Sequence, residues 1–161
     1  MQTAVLTIST TLARGEGEDV SGDLLAQLAT DAGCEVVERQ VVGDDRGRIE
    51  PALRGYVRQA LPLVFTTGGT GLTPDDVTPE ATLRVIERAA PGIAEALRAE
   101  SLRHTPMGML SRGVAGTAGH TLIINLPGNP KAIAQLFGVL APVLPHAVKT
   151  LTRDGGRAGS H

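Results

Sequence analysis

The feature of this sequence that most constrains its fold is the alternation of short apolar, β-branched segments with longer segments that carry apolar residues at helical spacing. The strand-like segments are residues 3–9, 34–42, 61–67 and 120–128. The third is almost continuously apolar, which is typical of a strand in the centre of a sheet. Strands that alternate with helices in this way favour an α/β fold, in which helices cover both faces of a mostly parallel sheet.

The segments between these strands predict helices. Asp19 or Ser21 is expected to cap the first helix, which ends near Gly33. The other helices are expected over residues 49–60, from Pro79 to Ala90, from Gly92 to His104, and from Pro130 to Leu151, the last one bent or divided near Pro142 and Pro145. Residues 109–119 are rich in glycine and predict a hairpin.

Composition narrows the class of protein further. A length of 161 residues suits one domain, expected over residues 1–151, followed by a disordered tail over residues 152–161. Aromatic residues make up only 2% of the chain, so we expect an aliphatic core and no base-stacking surface for nucleic acid. The formal net charge of −2 gives no general attraction to nucleic acid or to anionic membranes.

The cysteine count and the hydropathy pattern indicate a compartment. Cys34 is the only cysteine, which excludes an intrachain disulfide and fits a reducing cytoplasm. The N-terminus lacks the charged and apolar regions of a signal peptide, and no apolar run approaches the roughly 18 residues of a membrane span. We therefore expect a cytoplasmic protein with no membrane partner.

A glycine-rich loop follows the third predicted strand. Parallel sheets of this kind bind ligands at the carboxyl ends of their strands, so this loop is a candidate site. In Gly68-Gly69-Thr70-Gly71 the glycines allow backbone N–H groups to surround an anion, and the threonine adds a hydroxyl. No Lys-Ser or Lys-Thr pair follows, which excludes a Walker loop. Composition alone leaves a phosphate cradle and a plain tight turn equally open.

Two pairs of aspartates lie next to predicted strand ends. Asp75 and Asp76 follow the glycine loop directly, and a carboxylate beside a phosphate site is repulsive unless a cation intervenes. Glycines next to an aspartate therefore suggest Mg²⁺. The alternative is a helix cap, which we favour for Asp75 and which is compatible with a metal role for Asp76. Asp44 and Asp45 follow the second strand, where at least one of them is expected to form a turn.

The remaining motifs carry weaker signals. Asn125 to Lys131 runs from the fourth strand into a rigid turn, where either a phosphate contact or a solvated lysine is possible. Ser101 and Ser111 have no histidine at the spacing of a catalytic triad, so a serine nucleophile is not supported. The four histidines are scattered and do not pair with Cys34, which argues against a zinc site.

Taken together, several segments resemble one family. They are GGTG with TP and DVTPEAT over residues 68–82, ESL with TP over residues 100–106, MLSR with AG over residues 109–116, and TLIIN with PGNP over residues 121–130. In this combination they are similar to the molybdopterin adenylyltransferase family, which includes single-domain bacterial proteins of molybdenum cofactor synthesis and the G domains of plant and animal fusion proteins. The resemblance extends over about residues 3–151.

This resemblance implies a fold, an assembly and an activity. The family has a three-layer α/β/α sandwich and forms a homotrimer, and the sequence does not separate a trimer from a hexamer. Its members transfer AMP from Mg²⁺-ATP to the terminal phosphate of molybdopterin and release pyrophosphate. The adenylylated product is then the substrate of a molybdenum insertase, which is the expected downstream partner.

The resemblance also implies the site residues. The acidic positions of the family fall on Asp44 and Asp76, which would act in catalysis and hold Mg²⁺. The expected phosphate- and nucleotide-binding residues are Gly68, Gly69, Thr70 and Gly71. The expected molybdopterin-binding residues are Ser101, Ser111, Asn125, Pro127 and Gly128.

The sequence departs from the family pattern at three places. Thr10 follows Ser9 where an aspartate is common, and Gly43 precedes Asp44 where a proline is common. Asp75 stands where an arginine commonly precedes the motif aspartate, so a negative charge replaces a positive one. This change is expected to weaken the binding of ATP unless Mg²⁺ compensates. It keeps open the alternative of a non-catalytic molybdopterin-binding or carrier protein of the same fold.

Overall fold

The computed structural model describes residues 1–153 and contains one six-stranded sheet. The strands are β1 (Gln2–Ile8), β2 (Glu35–Val42), β3 (Leu63–Thr67), β4 (Arg88–Ala89), β5 (Ala115–Ala118) and β6 (Thr121–Leu126). Their order across the sheet is β2-β1-β3-β6-β5-β4. The first four of these strands pair in parallel, and β5 pairs antiparallel with both β6 and β4. The prediction of a mostly parallel sheet with β3 near its centre is therefore confirmed.

Helices connect the strands. They are α1 (Thr10–Ala13), α2 (Val20–Asp31), α3 (Arg46–Arg58), α4 (Thr78–Val85), α5 (Pro91–His104), α6 (Pro130–Leu140) and α7 (Leu144–Leu151). A 3-10 helix, Pro106–Leu110, follows α5. Asp19 caps α2 by accepting a hydrogen bond from the N–H of Gly22, as one of the two predicted alternatives required. Asp45 likewise caps α3, which confirms a turn at one aspartate of that pair.

Side chains from the two faces of the sheet form two separate hydrophobic clusters. Along β3, Leu63 and Phe65 belong to the first cluster and Val64 belongs to the second, as the alternation of a strand requires. The first cluster also contains buried residues of α2, α6 and α7, and the second contains buried residues of α3 and α4. The helices therefore form layers on both sides of the sheet, and the three-layer α/β/α sandwich is confirmed. The core is aliphatic apart from a few rings, as composition predicts.

Two segments differ from the prediction. The helix that begins near Pro79 ends at Val85, because Glu87 donates to the carbonyl of Thr117 and the next two residues pair with β5 as a short strand. Residues 109–119 do not form a hairpin by themselves. Their first part completes the 3-10 helix, and Ala115–Ala118 forms a hairpin with β6. Glycine content indicated a reversal there but not its position.

The C-terminal helix is divided as predicted, because α6 and α7 meet at an angle of 65° beside Pro142. Within the described residues no single helix has the length and hydropathy needed to cross a membrane, although this bent pair passes that test when its two helices are combined. The predicted tail begins at Thr152, and the part of it from residue 154 onward lies outside the described residues.

Ala60 provides a test of the local backbone energetics. It follows the C-terminus of α3 with a φ of 54°, a left-handed conformation that costs an L-residue about 1 kcal/mol or more. Ala60→Gly is expected to raise the free energy of unfolding by about 1 kcal/mol, measured by chemical denaturation at fixed protein concentration. The control is Ala99→Gly at an exposed position inside α5, which should lower that free energy by a similar amount. If both substitutions changed the free energy of unfolding in the same direction and by the same amount, Ala60 would not be under left-handed backbone strain.

Candidate functional site

The carboxyl ends of β1, β3 and β6 meet at one edge of the sheet, and the glycine loop begins there. The N–H of Gly68 donates to the carbonyl of Leu126 over 3.2 Å, and the hydroxyl of Thr67 donates to the carbonyl of Pro127 over 2.8 Å. On the other side, the hydroxyl of Thr78 donates to the carbonyl of Gly68 over 2.9 Å. The loop is therefore tied both to the neighbouring strand end and to the start of α4.

The first two glycines of the loop are required by the backbone. Gly68 and Gly69 have φ angles of 101° and 69°. A Cβ on Gly68 would overlap the carbonyl oxygen of Ile8, and a Cβ on Gly69 would overlap the hydroxyl of Thr78. Close packing thus accounts for these glycines whether or not a phosphate binds. The phosphate role of residues 68–71 stays a prediction.

Asp44 lies beside the glycine loop. One of its carboxylate oxygens, Oδ2, accepts hydrogen bonds from the N–H and the hydroxyl of Thr10, over 3.1 and 2.9 Å. The other oxygen, Oδ1, would lie 3.3 Å from a Cβ on Gly69. Thr10, which departs from the family pattern, therefore orients the carboxylate and leaves one oxygen directed at the loop.

Asp76 lies at the other end of the same loop. Its Oδ2 atom accepts a hydrogen bond from the N–H of Thr73 over 3.1 Å and would lie 2.8 Å from a Cβ on Gly71. The prediction that Asp75 or Asp76 caps α4 is wrong, because the N-cap residue is Val77 and no side chain caps that helix. The carboxylate of Asp76 instead accepts from the N–H of Thr73, in the turn that precedes the helix.

The two carboxylates are the type of ligand that Mg²⁺ takes when phosphate is present. They flank the glycine loop, Asp44 at Gly69 and Asp76 at Gly71, and in each the Oδ1 atom accepts no hydrogen bond from residues 1–153. No group of three or more His, Cys, Asp or Glu side chains capable of holding a metal occurs in that part of the chain. Mg²⁺ commonly takes one or two protein carboxylates and completes its shell with phosphate oxygens and water.

A cavity of about 400 Å³ opens next to the loop. Six of the predicted site residues line it: Thr70, Gly71, Ser101, Ser111, Asn125 and Pro127. Much of the remaining wall is apolar, with contributions from Leu72, Leu97 and Met107. The structure therefore brings most of the predicted molybdopterin-binding residues together with half of the glycine loop around one concave surface.

The other predicted residues lie outside this cavity. Gly68 and Gly128 line a separate cavity of about 240 Å³ near Ser9, and Asp44 lines a broad groove of about 910 Å³ beside α3. Gly69 and Asp76 are absent from the linings of all three. The site thus has two parts, an apolar cavity and, outside it, the two carboxylates of Asp44 and Asp76. Thr70 and Gly71 connect these parts, because they line the cavity and belong to the loop that the carboxylates flank.

The polar side chains of the cavity differ in whether they already make hydrogen bonds within the protein. Asn125 is buried, and its amide donates to the hydroxyls of Thr66 and Thr82 over 2.9 and 3.0 Å and accepts from the N–H of Val114 over 3.2 Å. Its amide donors are therefore committed to the fold. In contrast, the hydroxyl of Ser101 has no hydrogen-bond partner within residues 1–153, which leaves it available to a ligand.

Two arginines that the sequence did not single out as site residues lie at the cavity and the loop. Arg98 lines the cavity and donates through Nη1 to the carbonyl of Gly113 over 2.8 Å. Arg112, the last residue of MLSR, donates through Nε to the carbonyl of Gly71 and through Nη2 to that of Asp76, over 2.7 and 2.8 Å. Only the motif around Arg112 could have drawn attention to it, since its contacts lie far away in the sequence.

Arg112 also forms an ion pair with Glu80, in the first turn of α4. Burial acts to raise the pKa of the Glu80 carboxyl, but the hydrogen bond and charge of Arg112, a backbone hydrogen bond and the charge of Arg46 together hold that pKa below its ordinary value. Glu80 is therefore ionised at neutral pH and anchors the guanidinium against the loop.

Comparison with known proteins identifies the family to which the chain is similar. Residues 4–146 match the family described as a probable molybdopterin binding domain. The chain is 38% identical over 147 residues to a molybdopterin adenylyltransferase of Helicobacter pylori, covering 89% of this chain and 84% of that protein. It is 42% identical over 153 residues to the molybdenum cofactor synthesis protein cinnamon of Drosophila melanogaster, covering 93% of this chain but only a quarter (25%) of that longer protein.

Solved structures show the same likeness. A structure of MogA superimposes with a TM-score of 0.89 at 39% identity, covering 94% of this chain and 99% of the other. The molybdopterin biosynthesis enzyme MoaB of Thermus thermophilus superimposes with a TM-score of 0.88 at 43% identity, covering 94% and 96%. Because the family model matches most of the chain, and these proteins share its fold over nearly their whole length, the chain belongs to the molybdopterin adenylyltransferase family of MogA and MoaB.

Proposed function

We propose that this protein transfers AMP from Mg²⁺-ATP to the terminal phosphate of molybdopterin and releases pyrophosphate. The observation that carries the proposal is the convergence of six predicted site residues on one cavity, next to a glycine loop flanked by Asp44 and Asp76. Relatives named molybdopterin adenylyltransferase support the choice of reaction.

The reaction needs positioning more than acid–base chemistry. An oxygen of the molybdopterin phosphate attacks the α-phosphorus of ATP, the new P–O bond forms, and the bond from that phosphorus to the bridging oxygen breaks. Pyrophosphate leaves with the electron pair. Because the attacking phosphate is already an anion at neutral pH, no strong base is required, and the chain contributes orientation and charge neutralisation.

The two parts of the site would divide this work. The apolar cavity excludes water and holds the pterin, with the free hydroxyl of Ser101 and the cationic side chain of Arg98 as its polar contacts. The N–H groups of residues 69–71 and the hydroxyl of Thr70 would hold phosphate oxygens. Asp44 and Asp76 would hold Mg²⁺, which neutralises phosphate charge when bound.

A non-catalytic molybdopterin-binding or carrier protein is the second candidate, and Asp75 is the observation that favours it. Asp75 is exposed just after the glycine loop, next to Asp76 in sequence. The added negative charge opposes the approach of ATP unless Mg²⁺ offsets it. Such a protein would keep the cavity and its pterin contacts but would form no adenylylated product.

The partners follow from the same proposal. We expect a homotrimer or a hexamer, and the unpaired outer edge of β2, where Val37 and Val41 are more than one-third exposed, is a surface suited to self-assembly. A molybdenum insertase would consume the product. Longer relatives called molybdenum cofactor biosynthesis bifunctional proteins, of which this chain covers less than half, support a physical link to a further step.

Asp76→Asn tests the catalytic proposal. The substitution keeps the size of the side chain but removes the charge, so AMP transfer should fall by roughly 10²-fold or more while the fold and assembly stay intact. Purified protein is incubated with molybdopterin, ATP and Mg²⁺, and pyrophosphate release and the mass of the adenylylated pterin are followed. Asp75→Asn is the matched control and should not reduce turnover. Bound pterin without product in the unsubstituted protein would establish the carrier instead.

Ser101→Ala tests the assignment of the cavity. Its hydroxyl has no partner within the described residues, so its removal should leave the free energy of unfolding nearly unchanged. The dissociation constant for molybdopterin, measured by fluorescence titration, should rise by roughly 5- to 10-fold, the scale of one hydrogen bond to a ligand. An unchanged dissociation constant would place the pterin elsewhere.

A further inference from the structure

Arg112 is the residue that joins the cavity wall to the glycine loop. It follows Ser111, which lines the cavity, and its own backbone N–H donates to the carbonyl of Thr70 over 2.9 Å. Its guanidinium reaches the carbonyls of Gly71 and Asp76 and the carboxylate of Glu80. Arg112 therefore contacts the backbone at both ends of the segment from Gly71 to Asp76, and it also contacts Glu80 in α4.

The shape of the guanidinium matters for these contacts. Each of its three nitrogens donates to a different acceptor, which fixes the group in one orientation. An ammonium group on a flexible stem cannot reproduce this fork. Two of the acceptors are backbone carbonyls, those of Gly71 and Asp76. The contacts therefore restrain the backbone between these two residues and do not merely fix the position of one side chain.

Glu80 holds the guanidinium in place. Both side chains of the pair are 33% exposed, so the pair is partly shielded from solvent. The second oxygen of Glu80, Oε2, is buried and has no hydrogen-bond partner in the described part of the chain. Loss of Arg112 would therefore leave a poorly solvated carboxylate next to the loop, which adds a cost beyond the lost hydrogen bonds.

We propose that Arg112, oriented by Glu80, is a positioning residue that holds the glycine loop and Asp76 at a fixed place relative to the pterin cavity. The inference rests on the proposed AMP transfer, in which phosphates at the loop must lie in line with a phosphate carried by the pterin. Arg112 touches neither substrate in this proposal. It sets the distance between the two binding surfaces.

The effect on the reaction should be selective. A displacement of reacting groups by about 1 Å can cost on the order of 10²-fold in rate. Arg112→Gln should therefore lower kcat by about that factor, whereas the KM for molybdopterin changes little because the cavity keeps its lining. Arg112→Lys should be nearly as slow, since the charge without the fork does not restrain both carbonyls. Glu80→Gln should cause a smaller loss.

The control is Arg84→Gln. Arg84 lies on α4 like Glu80 and pairs with Glu50 over 3.1 Å, but it makes no hydrogen bond to the glycine loop. This variant removes an arginine–carboxylate pair from the same helix and should keep kcat. Equal losses in the Arg84 and Arg112 variants would overturn the proposal, because they would indicate a general effect on α4.

Hydrogen exchange gives a second measurement that does not depend on activity. Amides of residues 69–78 should exchange faster in Arg112→Gln and Glu80→Gln than in the unsubstituted protein, whereas amides of β1 and β3 should not. Unchanged loop exchange, or a change in the KM for molybdopterin alone, would overturn the positioning role. If the unsubstituted protein forms no adenylylated pterin, the proposed function fails, and the exchange data still decide whether Arg112 holds the loop.

Discussion

The site depends on one close backbone contact, between Gly68 and the carbonyl of Ile8 at the end of β1. No side chain fits there, so the chain leaves β3 directly against its neighbour, and a hydrogen bond to Leu126 ties it to β6 on the other side. The ends of three neighbouring parallel strands are thereby joined at the start of the glycine loop. The position of Gly68 therefore sets where the rest of the site begins, including the turn at Asp76 and the cavity lined by Thr70.

Buried polar side chains connect the sheet to α4 next to this contact. The amide of Asn125 in β6 bonds the hydroxyls of Thr66 in β3 and Thr82 in α4, and Thr82 in turn donates to the carbonyl of Thr78. Buried polar groups are costly unless all are paired, so this network specifies one arrangement of the sheet against α4. Asn125 therefore acts in the fold as well as at the cavity wall, and the two roles share one side chain.

The sequence predicts the fold well because strand and helix periodicity are local signals. The boundaries that it misses, at Val85 and over residues 109–119, depend on pairing between β4 and β5, which no local pattern reveals. The same division applies to the site. The family resemblance is enough to place Ser101 and Ser111 at the cavity wall. Arg112 contacts Gly71 across 41 positions of sequence, and only its place in the MLSR motif distinguishes it from a solvated arginine.

The balance of charge at the glycine loop follows from these contacts. The carboxylates of Asp44 and Asp76 border the loop, the carboxylate of Asp75 lies next to that of Asp76 in sequence, and no arginine directly precedes Asp76. The positive charge of Arg112 is held against the backbone of the same loop, but Glu80 largely neutralises it. The loop alone thus offers little net attraction to phosphate. Under the proposed AMP transfer, backbone N–H groups and a cation shared with the nucleotide would supply that attraction, so the affinity for ATP should depend more steeply on the divalent cation here than where an arginine precedes the motif aspartate.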